Sequence, residues 1–302
     1  MNLAKFIGSL LGTAIGDSLG AQGEGIFHLQ GTKEIGPRYT DDTAMMIGLA
    51  ESLIECKGFS GEHMANRFME NFEREPWRGY AWGPPRIFRM IRRGRKWNEM
   101  LDREIYPGGS YGNGAAMRIA PVGLFCHDDP KMLREVAYQS SQITHSHEWA
   151  IEGAALEACA VAMAVNLKAE NFNKYEFLKE LMNFTRVGIY QKKLEAMKSL
   201  LDEGAPRGKV IRELGNGVEA MNSVPAAIYS FLCNSDFESS VIYAVSLGGD
   251  ADTIGAMTGA IAGACYGVDE ITKRWMNRLE NREYIKKLAE KLWEAKKGVK
   301  GK

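Results

Sequence analysis

"SLGGDADTIGAMTGAIAGACYG", Ser246 to Gly267, decides the fold of this chain. Gly255, Gly259, Gly263 and Gly267 recur every fourth residue. The same spacing returns far upstream at Gly8, Gly12, Gly16 and Gly20 in "IGSLLGTAIGDSLG". Residues four apart lie on one face of a helix. An interior glycine costs about 0.5–1 kcal/mol relative to alanine, so a ridge of four predicts compensation by close packing on another backbone. Chance spacing in a chain with 33 glycines is the alternative. If the ridges pack on neighbours, two central helices lie deep in the core, and the aspartates at their edges converge on one place.

The remaining pattern is helical. Leu3, Phe6, Ile7, Leu10, Leu11, Ala14 and Ile15 follow the 3.6-residue period, with Asn2 placed to cap. Met45, Met46, Leu49, Leu53 and Ile54 repeat it. Trp149 to Val165 is alanine-rich and reads as buried all round. Near the C-terminus, Ile285, Leu288 and Leu292 share a face opposite lysines. Alternating strand patterns are scarce. The expected fold class is all-α: one compact bundle of crossing helices around a metal cleft, a single domain over 1–302, with no linker or low-complexity tract to divide it.

Lys and Arg number 38, as do Asp and Glu, so net charge is formally zero. That balance gives no global pull toward nucleic acid or an anionic membrane. The five cysteines are scattered without a CxxC pair and read as buried thiols in a reducing compartment. A signal peptide is the rival reading of the N-terminus, but Asp17 and the glycines interrupt its apolar run. No run is long and apolar enough to span a bilayer. The expectation is a cytoplasmic monomer.

Two acidic clusters open apolar helical runs: Thr40-Asp41-Asp42-Thr43 and Asp250-Ala251-Asp252-Thr253. Either alone reads as a helix N-cap with acidic residues at the positive end of the dipole. Together they hold four carboxylates, more than two caps need, and these repel unless cations lie between them. The clusters supply only oxygen donors, which suit hard divalent cations such as magnesium or manganese and not zinc. The spacing excludes an EF-hand, because Ile254 and Ile261 would fall where oxygen ligands are required.

A third segment, "YPGGSYGNGAAMRIAPVG" (106–123), is a glycine-rich loop running into a helix. It lacks the Gly-Lys-Ser/Thr of a P-loop and a preceding apolar strand. A tight turn and a backbone cradle for an anion or sugar are both open readings. "HDDP" (127–130) admits a metal-dependent phosphohydrolase of the HD type, with His63 as a further ligand. The alternative is Asp129 as the cap of a helix starting at Pro130. His145 and His147 invite a zinc pair, but on a helix residues two apart point to different faces. In "PPRIFRMIRRGRKW" (84–97), Arg86, Arg89 and Arg93 share a helical face opposite Ile87, Met90 and Ile91. That face is either simply solvated or a contact for a phosphate or an acidic acceptor protein.

Five segments, in order, resemble the ADP-ribosylglycohydrolase family: "GTAIGDSLGAQGE" (12–24), "YTDDTAMM" (39–46), "GGSYGNGAAMR" (108–118), "THSHEWAIEGA" (144–154) and "GGDADTIGAMTGAIAGACYG" (248–267). The resemblance implies an all-α hydrolase that cleaves ADP-ribose from modified side chains or small conjugates, with a binuclear magnesium or manganese centre. It assigns Thr40, Asp41, Asp42, Asp250, Asp252 and Thr253 to the metals. It gives Ser110, Tyr111, Gly112, Asn113 and Gly114 to the diphosphate and ribose, and places His145 in the ligand cleft. Glu24 and Asp41 become the candidates for catalytic proton transfer or water positioning, since glycoside cleavage usually flanks the bond with carboxylates. Gln22-Gly23 departs from the proline and apolar residue common before Glu24. A binding module without turnover is the non-enzymatic alternative.

Overall fold

The computed structural model describes residues 2–22, 34, 36, 38–168 and 172–300; Glu24 lies outside the described residues. In chain order the α-helices are α1 Leu3–Gly20, α2 Asp41–Cys56, α3 Gly61–Arg74, α4 Gly83–Arg92, α5 Ala120–Phe125, α6 Pro130–Ser141, α7 Glu148–Asn166 and α8 Lys174–Phe184. They continue with α9 Gly188–Glu203, α10 Arg207–Leu214, α11 Ala220–Leu232, α12 Phe237–Val245, α13 Ala251–Tyr266, α14 Lys273–Met276 and α15 Arg282–Lys300. Among the described residues there is no strand, only an isolated antiparallel bridge between Gly112 and Glu219. The fold is all-α, as the periodicity predicts.

The glycine ridges pack against each other. A Cβ built at Gly8 would lie 2.4 Å from the Gly263 carbonyl oxygen, at Gly12 2.2 Å from that of Gly259, and at Gly16 1.9 Å from that of Gly255. A Cβ at Gly20 would come within 2.3 Å of the Ala251 oxygen. Partner numbers fall by four as those of α1 rise by four, so the two helices run antiparallel with backbones in contact. Ser9 Oγ adds a bond to the Ala260 carbonyl at 3.0 Å. Every residue from Lys5 to Gly20 and from Ala251 to Cys265 is buried. This pairing carries the C-terminal end of α1 to the N-terminus of α13, where Asp250 and Asp252 stand.

Around this pair, α7, α11, α12 and α15 complete the core. Residues Ala150–Ala162 of α7 are all buried, as their composition predicts. Asn2 caps α1 through the Ala4 N–H at 2.9 Å. In α15, Ile285, Leu288 and Leu292 face inward, but Lys296 departs from the expected lysine face: it is buried and paired with Asp128. The cysteines are free; Cys126, Cys159 and Cys265 are buried, whereas Cys56 is exposed. No described helix is long and apolar enough to cross a membrane.

Candidate active site

The site grows from Asp17, a residue whose place in the sequence marks it only as a break in an apolar run. Fully buried on α1, Asp17 reaches across to the N-terminus of α2. Its carboxylate accepts from the Thr40 N–H at 3.0 Å, the Thr43 N–H at 3.1 Å and the Thr43 hydroxyl at 2.6 Å. These bonds stabilise the ionised form, yet burial wins and raises the Asp17 pKa to about 6. One carboxylate thus fixes α2 to the helix that α13 is locked against.

The two acidic clusters meet at this junction. Asp42 is buried, and its carboxyl is pushed well above the usual range, first by burial and then by the charges of Asp252, Asp17, Asp41 and Asp250. Thr40 is the N-cap of α2, as the capping reading holds, with its Oγ1 3.4 Å from the Asp42 N–H. The same hydroxyl donates to Asp42 Oδ2 at 3.1 Å. Asp42 Oδ1 is buried without a hydrogen-bond partner. Asp250 sits at the N-cap position of α13 but caps nothing with its side chain; instead it accepts from the Asn113 amide. Asp252 Oδ1 accepts from the N–H of Thr253, itself buried, at 2.8 Å. Among the described residues no three acidic, histidine or cysteine side chains close into a complete ligand set by themselves. The donor chemistry nonetheless fits a hard cation: an orphaned carboxylate oxygen among mutually repelling carboxylates, at two converging helix N-termini.

Asn113 links this cluster to the glycine-rich loop. Its Nδ2 donates both to Asp250 and to Ser223 Oγ, the latter at 3.0 Å. Gly108 and Gly109 turn the loop with φ of +86° and +93°, and at Gly109 a Cβ would lie 2.5 Å from Ser146 Oγ. From Gly109 to Asn113 four N–H groups are already committed: Gly109 to Tyr106 O, Ser110 to Asp102 Oδ2, Gly112 to Ser110 Oγ, and Asn113 to Val218 O. These bonds fasten the loop to its own turn, to Asp102 and to Val218. Tyr111 stands half exposed, its ring 5.8 Å from His147 and 6.2 Å from Trp149.

His145 lies against this loop; a Cβ at Gly114 would be 2.8 Å from its Cε1. Burial, with the Arg118 guanidinium second, lowers its pKa to about 3, so the ring is neutral. Its Nδ1 is 2.8 Å from Thr144 Oγ1, which in turn accepts from Arg118 Nη2 at 2.9 Å. Asp102 Oδ2 accepts from Ser110 N at 2.8 Å and Ser146 N at 2.7 Å, joining the loop to the histidine segment. Sequence spacing carries no sign of Asp17, Asp102 or Arg118, because each acts through a partner distant in the chain.

The competing motifs are structural. Asp129 caps α6 through the Lys131 and Met132 N–H groups at 3.1 and 3.0 Å. His63 binds Ser52 and Glu55 at 3.0 and 3.1 Å, and His127 binds Asn166 at 2.9 Å. His145 and His147 do not share a helix: His147 is the N-cap of α7, its Nδ1 accepting from Trp149 N at 3.2 Å. A groove of about 270 Å³ beyond Tyr39, lined partly by Asn71, Arg74 and Tyr284, includes no member of the acidic cluster or of the loop.

The all-α scaffold thus joins the aspartate clusters, through Asn113, to the glycine-rich loop. The family model for ADP-ribosylglycohydrolase matches residues 2–301. The chain belongs to the ADP-ribosylglycohydrolase family and is, by that membership, an ADP-ribosyl glycohydrolase. It is 33% identical to ADP-ribosylhydrolase ARH3 of Homo sapiens, over 96% of this chain and 93% of that protein. It is 27% identical to ADP-ribosylarginine hydrolase Tri1 of Serratia proteamaculans, over 97% of this chain and 80% of that protein. A solved structure named as an ADP-ribosylglycohydrolase-related protein complex superposes with a TM-score of 0.73 at 28% identity, covering 97% of this chain and 98% of that one.

Proposed function

We propose that the chain hydrolyses the glycosidic bond between ADP-ribose and a modified protein side chain or small conjugate, with two divalent cations of the magnesium or manganese type. The observation that carries this reading is the Asn113–Asp250 hydrogen bond, which holds the loop assigned to ADP-ribose onto the acidic cluster. Thr40, Asp41, Asp42, Asp250, Asp252 and Thr253 would hold the cations, and the orphaned Asp42 Oδ1 supports that assignment. Bound there, divalent ions would hold ribose hydroxyls and lower the pKa of a water.

The chain's own groups do the remainder. Ser110, Tyr111, Gly112, Asn113 and Gly114 position the diphosphate and ribose. Neutral His145, its Nδ1 engaged by Thr144, leaves the ring edge beside Gly114 to bond the ligand without adding charge. Asp41 is half-buried in the first turn of α2 and so keeps contact with solvent. Asp41 or Glu24 takes the proton of the attacking water. The names of the relatives, one an "ADP-ribosylhydrolase" without a named acceptor and one an "ADP-ribosylarginine hydrolase", agree on ADP-ribose and leave the acceptor to experiment.

Peptides mono-ADP-ribosylated on serine or arginine should release free ADP-ribose in magnesium or manganese. Asp41→Asn should lower turnover by about 10²–10⁴-fold. The wild type should melt higher with excess metal than with chelator. Retention of ADP-ribose without turnover would make the chain a binding module; equal melting with metal and chelator would overturn the metal centre.

A further inference from the structure

The segment from Trp77 to Arg93 borders the site and is not used by it. Gly79, with φ of +91°, lies against the acidic cluster: a Cβ there would be 3.8 Å from Asp41 Oδ1. Three residues on, Trp82 packs edge-on to Tyr106 with centroids 4.9 Å apart. Tyr106 in turn receives the Gly109 N–H at 2.8 Å, at the head of the ligand loop. The segment leading into α4 therefore lies between the aspartates on one side and the glycine-rich loop on the other.

This rim is apolar and cationic at once. Trp77 is 61% exposed and Trp82 51% exposed. The Arg86 guanidinium stacks over the Trp82 ring, 4.3 Å from its centroid. Arg86, Arg89 and Arg93 are exposed along one face of α4 and its C-terminal end, and none makes an ion pair among the described residues. Their neighbours differ: Arg92 is held by Glu73, and Arg95 by Glu99 and Glu104. Three charges without an ion-pair partner among the described residues thus run along α4, away from its N-terminal end beside the site, spanning about 10 Å at the helical rise.

We propose that this face of α4 receives the acceptor polypeptide, docking acidic residues that flank the ADP-ribosylated side chain. The inference rests on the reading of the chain as a hydrolase of ADP-ribosylated protein. A guanidinium held over an indole face is positioned by the ring while its N–H groups can still donate to a carboxylate. Stacked bases of a nucleic acid fit less well, because the Trp82 ring already carries Arg86 on its face and Tyr106 at its edge. The order along α4 also gives direction: Arg86, over Trp82 and so beside Tyr106, stands nearest the ligand loop of the three, and it meets the residue closest to the modified position.

The test uses one peptide in two forms, acidic flanks or the same flanks as Asn and Gln, each ADP-ribosylated on the same residue. The wild type should cleave the acidic form with kcat/KM about five- to tenfold higher, the scale of two or three surface charge pairs, and the advantage should shrink in high salt. Arg86→Gln/Arg89→Gln should abolish the preference while leaving cleavage of a small ADP-ribose conjugate, which cannot reach α4, unchanged. Equal rates for the two forms, or a double variant that keeps the preference, would overturn the proposal. Failure to cleave even the small conjugate would instead remove the proposed activity. The docking face is then decided by tryptophan fluorescence titrated with the unmodified peptides: tighter binding of the acidic form supports it, and equal binding overturns it. An RNA oligonucleotide that binds this face more tightly than the acidic peptide also overturns it.

Discussion

Single carboxylates in this molecule act as fasteners as much as reagents, and Asp102 shows why. It is fully buried, its Oδ2 holds the Ser110 and Ser146 N–H groups, and its Oδ1 has no partner. Asp102→Ala would leave one buried donor, the Ser146 N–H, and one half-buried donor, the Ser110 N–H, unpaired; at about 1–3 kcal/mol for a fully buried group and less for the other, the loss should be about 2–4 kcal/mol. Asp102→Asn keeps an acceptor oxygen at the bonded position and should lose less than half of that. Denaturant midpoints of the two variants decide it; an alanine variant as stable as the wild type would remove the fastening role. At this scale the sequence was only partly legible. Asp41, Asp42, Asp250 and Asp252 could be found because two matched clusters are more than capping requires. Asp17 and Asp102 could not, since the donors they bind lie 23 to 26 and 8 to 44 residues away and only the folded chain brings them near.

Helix pairing was the most legible level, because close backbone contact needs glycine and leaves a period of four. At Gly16 an added Cβ would sit 1.9 Å from the Gly255 oxygen, with backbone and no flexible side chain to give way. Gly16→Ala should therefore push α1 off α13 and destabilise by more than the about 1–3 kcal/mol typical of overpacking, taking activity with it because Asp17 moves too. Gly298 in α15 offers the contrast: an added Cβ meets nothing within 4 Å, so Gly298→Ala should gain up to about 1 kcal/mol from helix propensity. Thermal unfolding of the pair checks both signs, and a Gly16→Ala protein that melts with the wild type would show that the ridge is not close-packed in solution. What spacing could not reveal was the third partner. Asp17 fixes the N-terminus of α2 to this pair, through bonds to Thr40 and Thr43 that are tertiary.

At the scale of the whole molecule, the described residues include a buried acid that the site does not use. Glu157 lies inside α7, 1% exposed, and neither carboxyl oxygen has a hydrogen-bond partner. Burial alone pushes its pKa well above the ordinary range, the expected response of a carboxyl in apolar surroundings. Its folded pKa therefore exceeds its unfolded value of about 4.3. Below that value both states are protonated and the group has no effect on stability. Above it the unfolded chain releases the proton first, so the native state loses stability as pH rises, until the folded pKa is passed. The slope reaches at most about 1.4 kcal/mol per pH unit. Glu157→Gln has similar size and no titration, so any packing penalty it carries is the same at every pH. The acidic cluster titrates in both proteins and cancels in their difference. Urea midpoints of the two proteins from pH 4.5 to 8.5 should therefore diverge in favour of the glutamine variant as pH rises. A difference that stays constant across that range would mean that Glu157 is paired or hydrated in the native state.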